Sequence, residues 1–239
     1  MKISQTVDPV TCRADLDFRV NSLSLRVRSP WSVCVSFLLL TLIAGCSSTS
    51  AIELKKATLS IKKLVYDKDN RPPERVAQHP SVEANTHWDF EFVPEIVVKK
   101  TKLEKTENQF TSFVCVKKVK IDLRLPVQVW LPESASAKVI AHEDGHVAIC
   151  RHYYDQAEAQ AYRAAQGILE RTFSGTGESE RESMQKALEA ASVALVTPYQ
   201  NAVVLPANRA SAIYDKLTNH GQASVAAQRA VKQAIDEAR

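Results

Sequence analysis

From residue 86 the chain reads THWDFEFV, with aromatic and polar positions alternating in period two, which predicts a half-buried strand. Residues 95–99 (EIVVK), 110–118 (FTSFVCVKK), 119–125 (VKIDLRL) and 127–131 (VQVWL) are further β-rich runs, the last ended by Pro132. Together they predict one antiparallel sheet of three to five strands joined by short polar turns. After Pro132 the periodicity changes. Ser134 or Ser136 is a sound N-cap, and an Ala-rich helical pattern runs from about Lys138 to Arg171. The Ser174-Gly175-Thr176-Gly177 stretch breaks that pattern. A second helical run begins near Glu180 and continues toward Leu195, where Pro198 and Pro206 interrupt or kink it. Residues 210–217 and 222–238 are again helix-like. Strands followed by two long helices and a C-terminal helix predict an α+β domain.

Upstream of this domain the pattern is of another kind. Residues 31–45 (WSVCVSFLLLTLIAG) are apolar, follow Arg26 and Arg28, and fall short of the roughly 20 residues that a membrane-spanning helix needs. A basic flank, a short apolar core and a small-residue ending predict a secretory signal. Its end, Leu42-Ile43-Ala44-Gly45-Cys46, resembles the bacterial lipoprotein signal. That resemblance implies removal of residues 1–45, lipidation of Cys46 and, with Ser47 next, anchoring at the periplasmic face of the outer membrane. Residues 46–60 then read as the lipidated Cys and a Ser/Thr-led tether, and 61–239 as the domain.

Composition narrows the function classes. Apolar residues make up 45% of the chain and charged residues 24%, an ordinary globular balance that excludes wholesale disorder and a multi-span membrane protein. The formal charge of +4 is partly carried by residues 1–45, and a sequence pI near 8.7 is no sign of a nucleic-acid partner. Lysine clusters at Lys99-Lys100 and Lys117-Lys118 with Lys120 read as solvated strand edges. Of five Cys, Cys12 and Cys34 leave with the signal and Cys46 is lipidated. Cys115 and Cys150 remain, an even pair for an oxidising compartment, so they are a candidate disulfide or two buried thiols.

One constellation carries chemistry. His142-Glu143-Asp144-Gly145-His146 is an HExxH motif inside the first helical run. Residues four apart lie about 40° apart around a helix, so both imidazoles leave one face and can reach one Zn²⁺. Glu143 would act as general base beside a metal-polarised water, as peptide hydrolysis near neutral pH requires. A catalytic zinc needs a third protein ligand. His152 would extend the motif toward the metzincin form, but Ile149 stands where that form needs Gly. On a continuous helix His152 lies about 240° round from His146 and about 9 Å along. Met184 lies in a helical run and makes no Met-turn. Glu178, Glu180, Glu182 and Glu189 on the second helix are candidates in the thermolysin manner. His220 is a stronger one, because Gly221 reads as a C-cap exposing the residue before it.

Taken together, these residues resemble a bacterial family of predicted secreted zinc-dependent proteases. The shared features are Thr86-His87-Trp88 opening a strand, Leu131-Pro132 before the first helix, the HExGH form at 142–146, and YDxxTxHG at 214–221. The similarity covers roughly residues 52–235. It implies a zincin-like fold, Zn²⁺ as cofactor, a peptide or protein substrate, and His220 as the third ligand beside His142 and His146. In the same motif Tyr214 either points its phenol at the substrate oxyanion or packs two helices together. Asp215 either holds a ligating imidazole by its second N–H or lies on the surface. Pro198 and Pro206 depart from the family's unbroken helix. The alternative function is a catalytically silent envelope lipoprotein, a binding module with a structural metal or none.

Overall fold

The computed structural model describes residues 51–67 and 84–239, so the signal region and Cys46 lie outside the described residues. The architecture is α+β. Strands β1 (Ile52–Lys56), β2 (Ser60–Tyr66), β3 (Asn85–Trp88), β4 (Glu91–Lys105), β5 (Phe110–Arg124) and β6 (Pro126–Pro132) precede α1 (Ala137–Ile168). After β7 (Thr172–Gly177) come α2 (Glu180–Tyr199), a π-helical segment Gln200–Val204, α3 (Leu205–Thr218) and α4 (Ala227–Glu237). Among the described residues no helix is long and apolar enough to cross a membrane.

The expected single antiparallel sheet is instead two mixed sheets. In the first the order is β1-β5-β4, with β7 also paired to β5; in the second it is β2-β6-β3. β1 runs parallel to β5 and β2 parallel to β6, whereas β4 and β7 on β5, and β3 on β6, are antiparallel. Residues 52–56, read as tether, therefore belong to a strand. The sequence hid β1 and β2 because IELKK and SIKKLVY are Lys-rich, and parallel partners some 65 residues away leave no local signature. β7 was hidden by the glycines of TFSGTG.

Period-two burial is clearest where β5 passes into β6. Val119, Ile121, Leu123, Leu125, Val127, Val129 and Leu131 are all buried, one unbroken inward face shared by both sheets. Each such side chain contributes about 1.5–3 kcal/mol on burial. Upstream the inward set is Ser112, Val114 and Val116, so the phase flips by one residue. The flip falls at an irregularity in pairing, where Val97 opposes Lys118 but Val98 opposes Val116, which leaves Lys117 as the extra residue of a bulge.

α1 starts where Pro132 ends β6, and the Ser136 side chain caps it by accepting from the Val139 N–H at 3.3 Å. Its inward stripe, Cys150, Tyr153, Tyr154, Ala157, Ala161, Ala164, Ala165 and Ile168, is small enough toward the C-terminus for the other helices to approach closely. Pro198 and Pro206 interrupt less than expected. The chain stays helical between them by widening to the π form, with the Leu205 N–H bonded to the Gln200 carbonyl.

Cys115 and Cys150 are free, which corrects the candidate disulfide. Cys115 on β5 turns its sulfur toward Glu170, whose carbonyl is 3.5 Å away, while Cys150 sits in the α1 core. Both are buried thiols. Burial pushes the Cys150 thiol up to about 12.

Candidate metal centre

His142 and His146 occupy successive turns near the start of α1, both buried, with ring centroids 4.9 Å apart and planes nearly perpendicular. α3 lies across them and presents one face at helical spacing: Ser211, Asp215 and Thr218. Asp215 Oδ1 is 3.3 Å from His142 Nε2 and 3.1 Å from His146 Nε2. These three ligand-type atoms lie within 4.8 Å of one another. The outer nitrogens are held as well, His142 Nδ1 at 3.2 Å from Thr218 Oγ1 and His146 Nδ1 at 2.7 Å from Ser211 Oγ. Burial raises the Asp215 pKa, but hydrogen bonds and charge from the two imidazoles outweigh it, so the carboxyl is held well below the usual carboxylate range.

β3 supplies the opposite wall. Thr86 Oγ1 donates to Glu143 Oε2 at 2.6 Å and fixes the carboxylate of a residue that is itself buried. The Trp88 ring stacks on His146 at 6.0 Å, and its indole N–H donates to Asn208 Oδ1 on α3 at 3.1 Å. Thr86 and Trp88 share a strand face by alternation, and His87 between them is exposed.

Tyr214 is not aimed at the site. It is fully buried, stacked on His142 (5.0 Å, 11°) and edge-on to His146 (5.1 Å), with its hydroxyl donating to the His142 carbonyl at 3.2 Å. The oxyanion role is corrected to packing, because the phenol is committed to backbone. Desolvation pushes that phenol up to about 12, helped by the charges of Glu143, Asp215 and Asp144, so it stays a donor.

His220 is also placed differently from the expectation. Its side chain is 64% exposed, and its Nδ1 lies 3.7 Å from Asp215 Oδ1, beside the three-atom group rather than within it. The third ligand-type atom is Asp215's. Asn219, His220 and Gly221 are successively left-handed (φ 46°, 51° and 79°), which turns the chain back over α1. A Cβ on Gly221 would lie 3.1 Å from the His142 side chain, so Gly221 serves close approach as well as conformation. His220 holds the same region without Gly's freedom, a local strain of order 1 kcal/mol.

The remaining candidates stand apart. His152 is half-buried beside Gln156, its Nε2 3.2 Å from the amide nitrogen. Glu180 pairs with Lys100, Glu182 with Lys186, and Glu189 with Gln185, while Glu178 is exposed. Sequence reasoning missed Ser211 and Thr86 as partners of the motif. The signal for Ser211 was its place four residues before Asp215; Thr86 was marked only by the resemblance of Thr86-His87-Trp88, and its partner 57 residues away left no local sign.

Two buried imidazole nitrogens and an ionised carboxylate oxygen converging on one point form a donor set that could hold a metal ion. Comparison with protein-family models, with curated proteins and with solved structures finds no match for this chain.

Proposed function

We propose that the protein is a zinc-dependent peptidase, with His142, His146 and Asp215 holding the metal. The observation that carries this reading is the convergence of His142 Nε2, His146 Nε2 and Asp215 Oδ1, with Glu143 next to the first imidazole in sequence. When bound, zinc supplies a Lewis acid that polarises a carbonyl and makes water acidic enough to attack near neutral pH. The chain's own groups do the rest. Glu143, oriented by the Thr86 hydroxyl, takes the proton of the attacking water and returns it to the leaving nitrogen. Tyr214 holds the α1 backbone at His142 and lines up α3, so that Asp215 meets both rings. The likeness of the 142–146 and 214–221 motifs to secreted zinc proteases supports the same reading. The substrate would be a peptide or protein of the cell envelope, met by an enzyme tethered through Cys46 to the outer membrane, with no role for nucleic acid.

His220 favours a second reading. Its Nδ1 is 3.7 Å from Asp215 Oδ1, and a fourth protein ligand would close the coordination sphere. The protein would then be a silent envelope lipoprotein, a binding module stapled by structural zinc. One experiment separates the two: hydrolysis of an unfolded protein by zinc-loaded wild type and by Glu143→Gln. The peptidase reading expects a loss of about 10²–10⁴-fold with zinc retained; full activity in the variant, or none in the zinc-loaded wild type, overturns it.

A further inference from the structure

His142, His146 and Glu143 are 7%, 6% and 3% exposed, so a peptide bond cannot meet them while they stay covered. Some part of the cover must move, and the walls of the site differ in how freely they can. α3 is pinned to α1, because the fully buried Tyr214 crosses at Gly145, its hydroxyl 2.2 Å from where a β-carbon would stand. The β3 main chain is pinned as well. Thr86 and Trp88 oppose Val129 and Val127 on β6, and the Asp89 N–H donates to the Pro126 carbonyl at 3.3 Å. Shifting that strand would also withdraw the Thr86 hydroxyl from Glu143.

A side chain is left. Trp88 is the last residue of β3, half-buried, with its ring stacked on His146 at 6.0 Å and 23°. Its indole N–H donates to Asn208 Oδ1 at 3.1 Å, which bridges β3 to α3 across the histidine. Asn208, Ser211, Asp215 and Thr218 follow the spacing i, i+3, i+7, i+10, a polar stripe on an Ala-rich helix. Ser211 and Asp215 meet the His146 ring and Thr218 meets His142, whereas Asn208 holds the indole that roofs His146. Thr86 and Trp88 share a strand face, so an indole turned off His146 opens a path along β3 to both Glu143 and the point where the three ligand-type atoms converge.

We propose that Trp88 is the gate of this site and Asn208 its catch: the indole swings off His146 as a local motion, and its bond to Asn208 sets how seldom the site stands open. A neutral hydrogen bond between half-buried groups is a light restraint, so losing it raises the open population by about 3- to 10-fold. Helices and sheet stay in place throughout. That the entering molecule is a peptide rests on the peptidase reading; the gate itself does not.

The test is acylation of histidines by diethyl pyrocarbonate in the full-length, metal-stripped protein, followed residue by residue by mass spectrometry over a urea series below the unfolding transition. A local opening exposes little surface and is nearly indifferent to urea, whereas global unfolding depends on it steeply. His220, with its side chain 64% exposed, is the unhindered control, and alkylation of the buried Cys150 reports global unfolding. In wild type, His146 is expected to react more slowly than His220, at a rate flat in urea. In Asn208→Leu, similar in size but without the acceptor, the His146 rate is expected to rise about 3- to 10-fold, still flat, with His220 unchanged. A wild-type His146 rate that climbs with urea alongside Cys150 overturns the proposal whether or not the variant folds. So does a wild-type His146 as reactive as His220, or a folded Asn208→Leu protein with the wild-type rate. None of these readouts needs metal, so a protein that meets them yet hydrolyses nothing when zinc-loaded keeps the gate and defeats the peptidase reading.

Discussion

The hydroxyl oxygen of Tyr214 lies 2.2 Å from where a β-carbon on Gly145 would stand. The second variable position of the HExxH motif is thus occupied by the residue without a side chain because a buried phenol crosses the helix there on its way to the His142 carbonyl. Gly145→Ala should force Tyr214 and α3 away from α1, at a cost of about 1–3 kcal/mol in denaturant unfolding and with weakened zinc binding. Tyr214→Phe, which keeps the ring and loses one neutral hydrogen bond, should cost only about 0.5–1.5 kcal/mol and leave turnover nearly intact. A loss of 10²-fold or more in kcat for Tyr214→Phe would restore the oxyanion role.

Thr86 reaches Glu143 from another layer of the molecule, and its 2.6 Å bond is what aims the carboxylate. Thr86→Val keeps the shape and removes the donor. Hydrogen bonds to charged groups are worth about 1.5–3 kcal/mol, so kcat should fall by about tenfold or more while zinc content stays at the wild-type value. Unchanged kcat would mean that Glu143 is held by something other than Thr86.

Cys150 gives a pH signature independent of the metal. Burial raises its thiol to about 12, above the ordinary value of about 8.5. A raised acid contributes stability that is complete below the unfolded value and is lost as pH climbs toward the folded one. Stability should therefore decline above about pH 8.5, and Cys150→Ala should flatten that decline. Because both described cysteines are free, reductant should leave the melting temperature unchanged; a drop on reduction would show a bond between Cys115 and Cys150.

The chemistry-bearing residues were more legible than the framework around them. HExxH spacing announces two rings on one helical face, and Asp215 with Thr218 falls inside a recognisable stretch. What spacing could not tell is which of Asp215 and His220 turns inward. That is decided by three left-handed residues at 219–221, which send the His220 ring outward beside Asp215. The strands at 119–131 were legible as two β-rich runs. β1 and β2 were not, since their pairings are parallel and distant and their lysines mask the pattern. The π segment between Pro198 and Pro206 was likewise hidden, because a proline signals a missing hydrogen bond without saying whether the helix stops or widens.

The clustered surface lysines, a pattern that attracts acidic partners, are engaged at home. Lys100 meets Glu180, Lys117 meets Glu170, Lys118 meets Glu53 and Lys120 meets Glu95. Such exposed pairs add little stability, but each offsets the charge of the lysine it holds. Changing Lys100 and Lys117 together to Gln should shift denaturant midpoints only slightly and leave zinc binding unaltered; a large change in either would reveal a role for these strand edges that their pairing does not.

In the proposed peptidase His142, His146 and Asp215 together grip one divalent ion. Elemental analysis after zinc equilibration and dialysis tests it directly, on wild type beside His146→Ala, Asp215→Ala and His220→Ala. About one zinc per chain is expected in wild type and in His220→Ala, and little in the other two. A zinc-free wild type, or metal lost from His220→Ala but kept by Asp215→Ala, would contradict it.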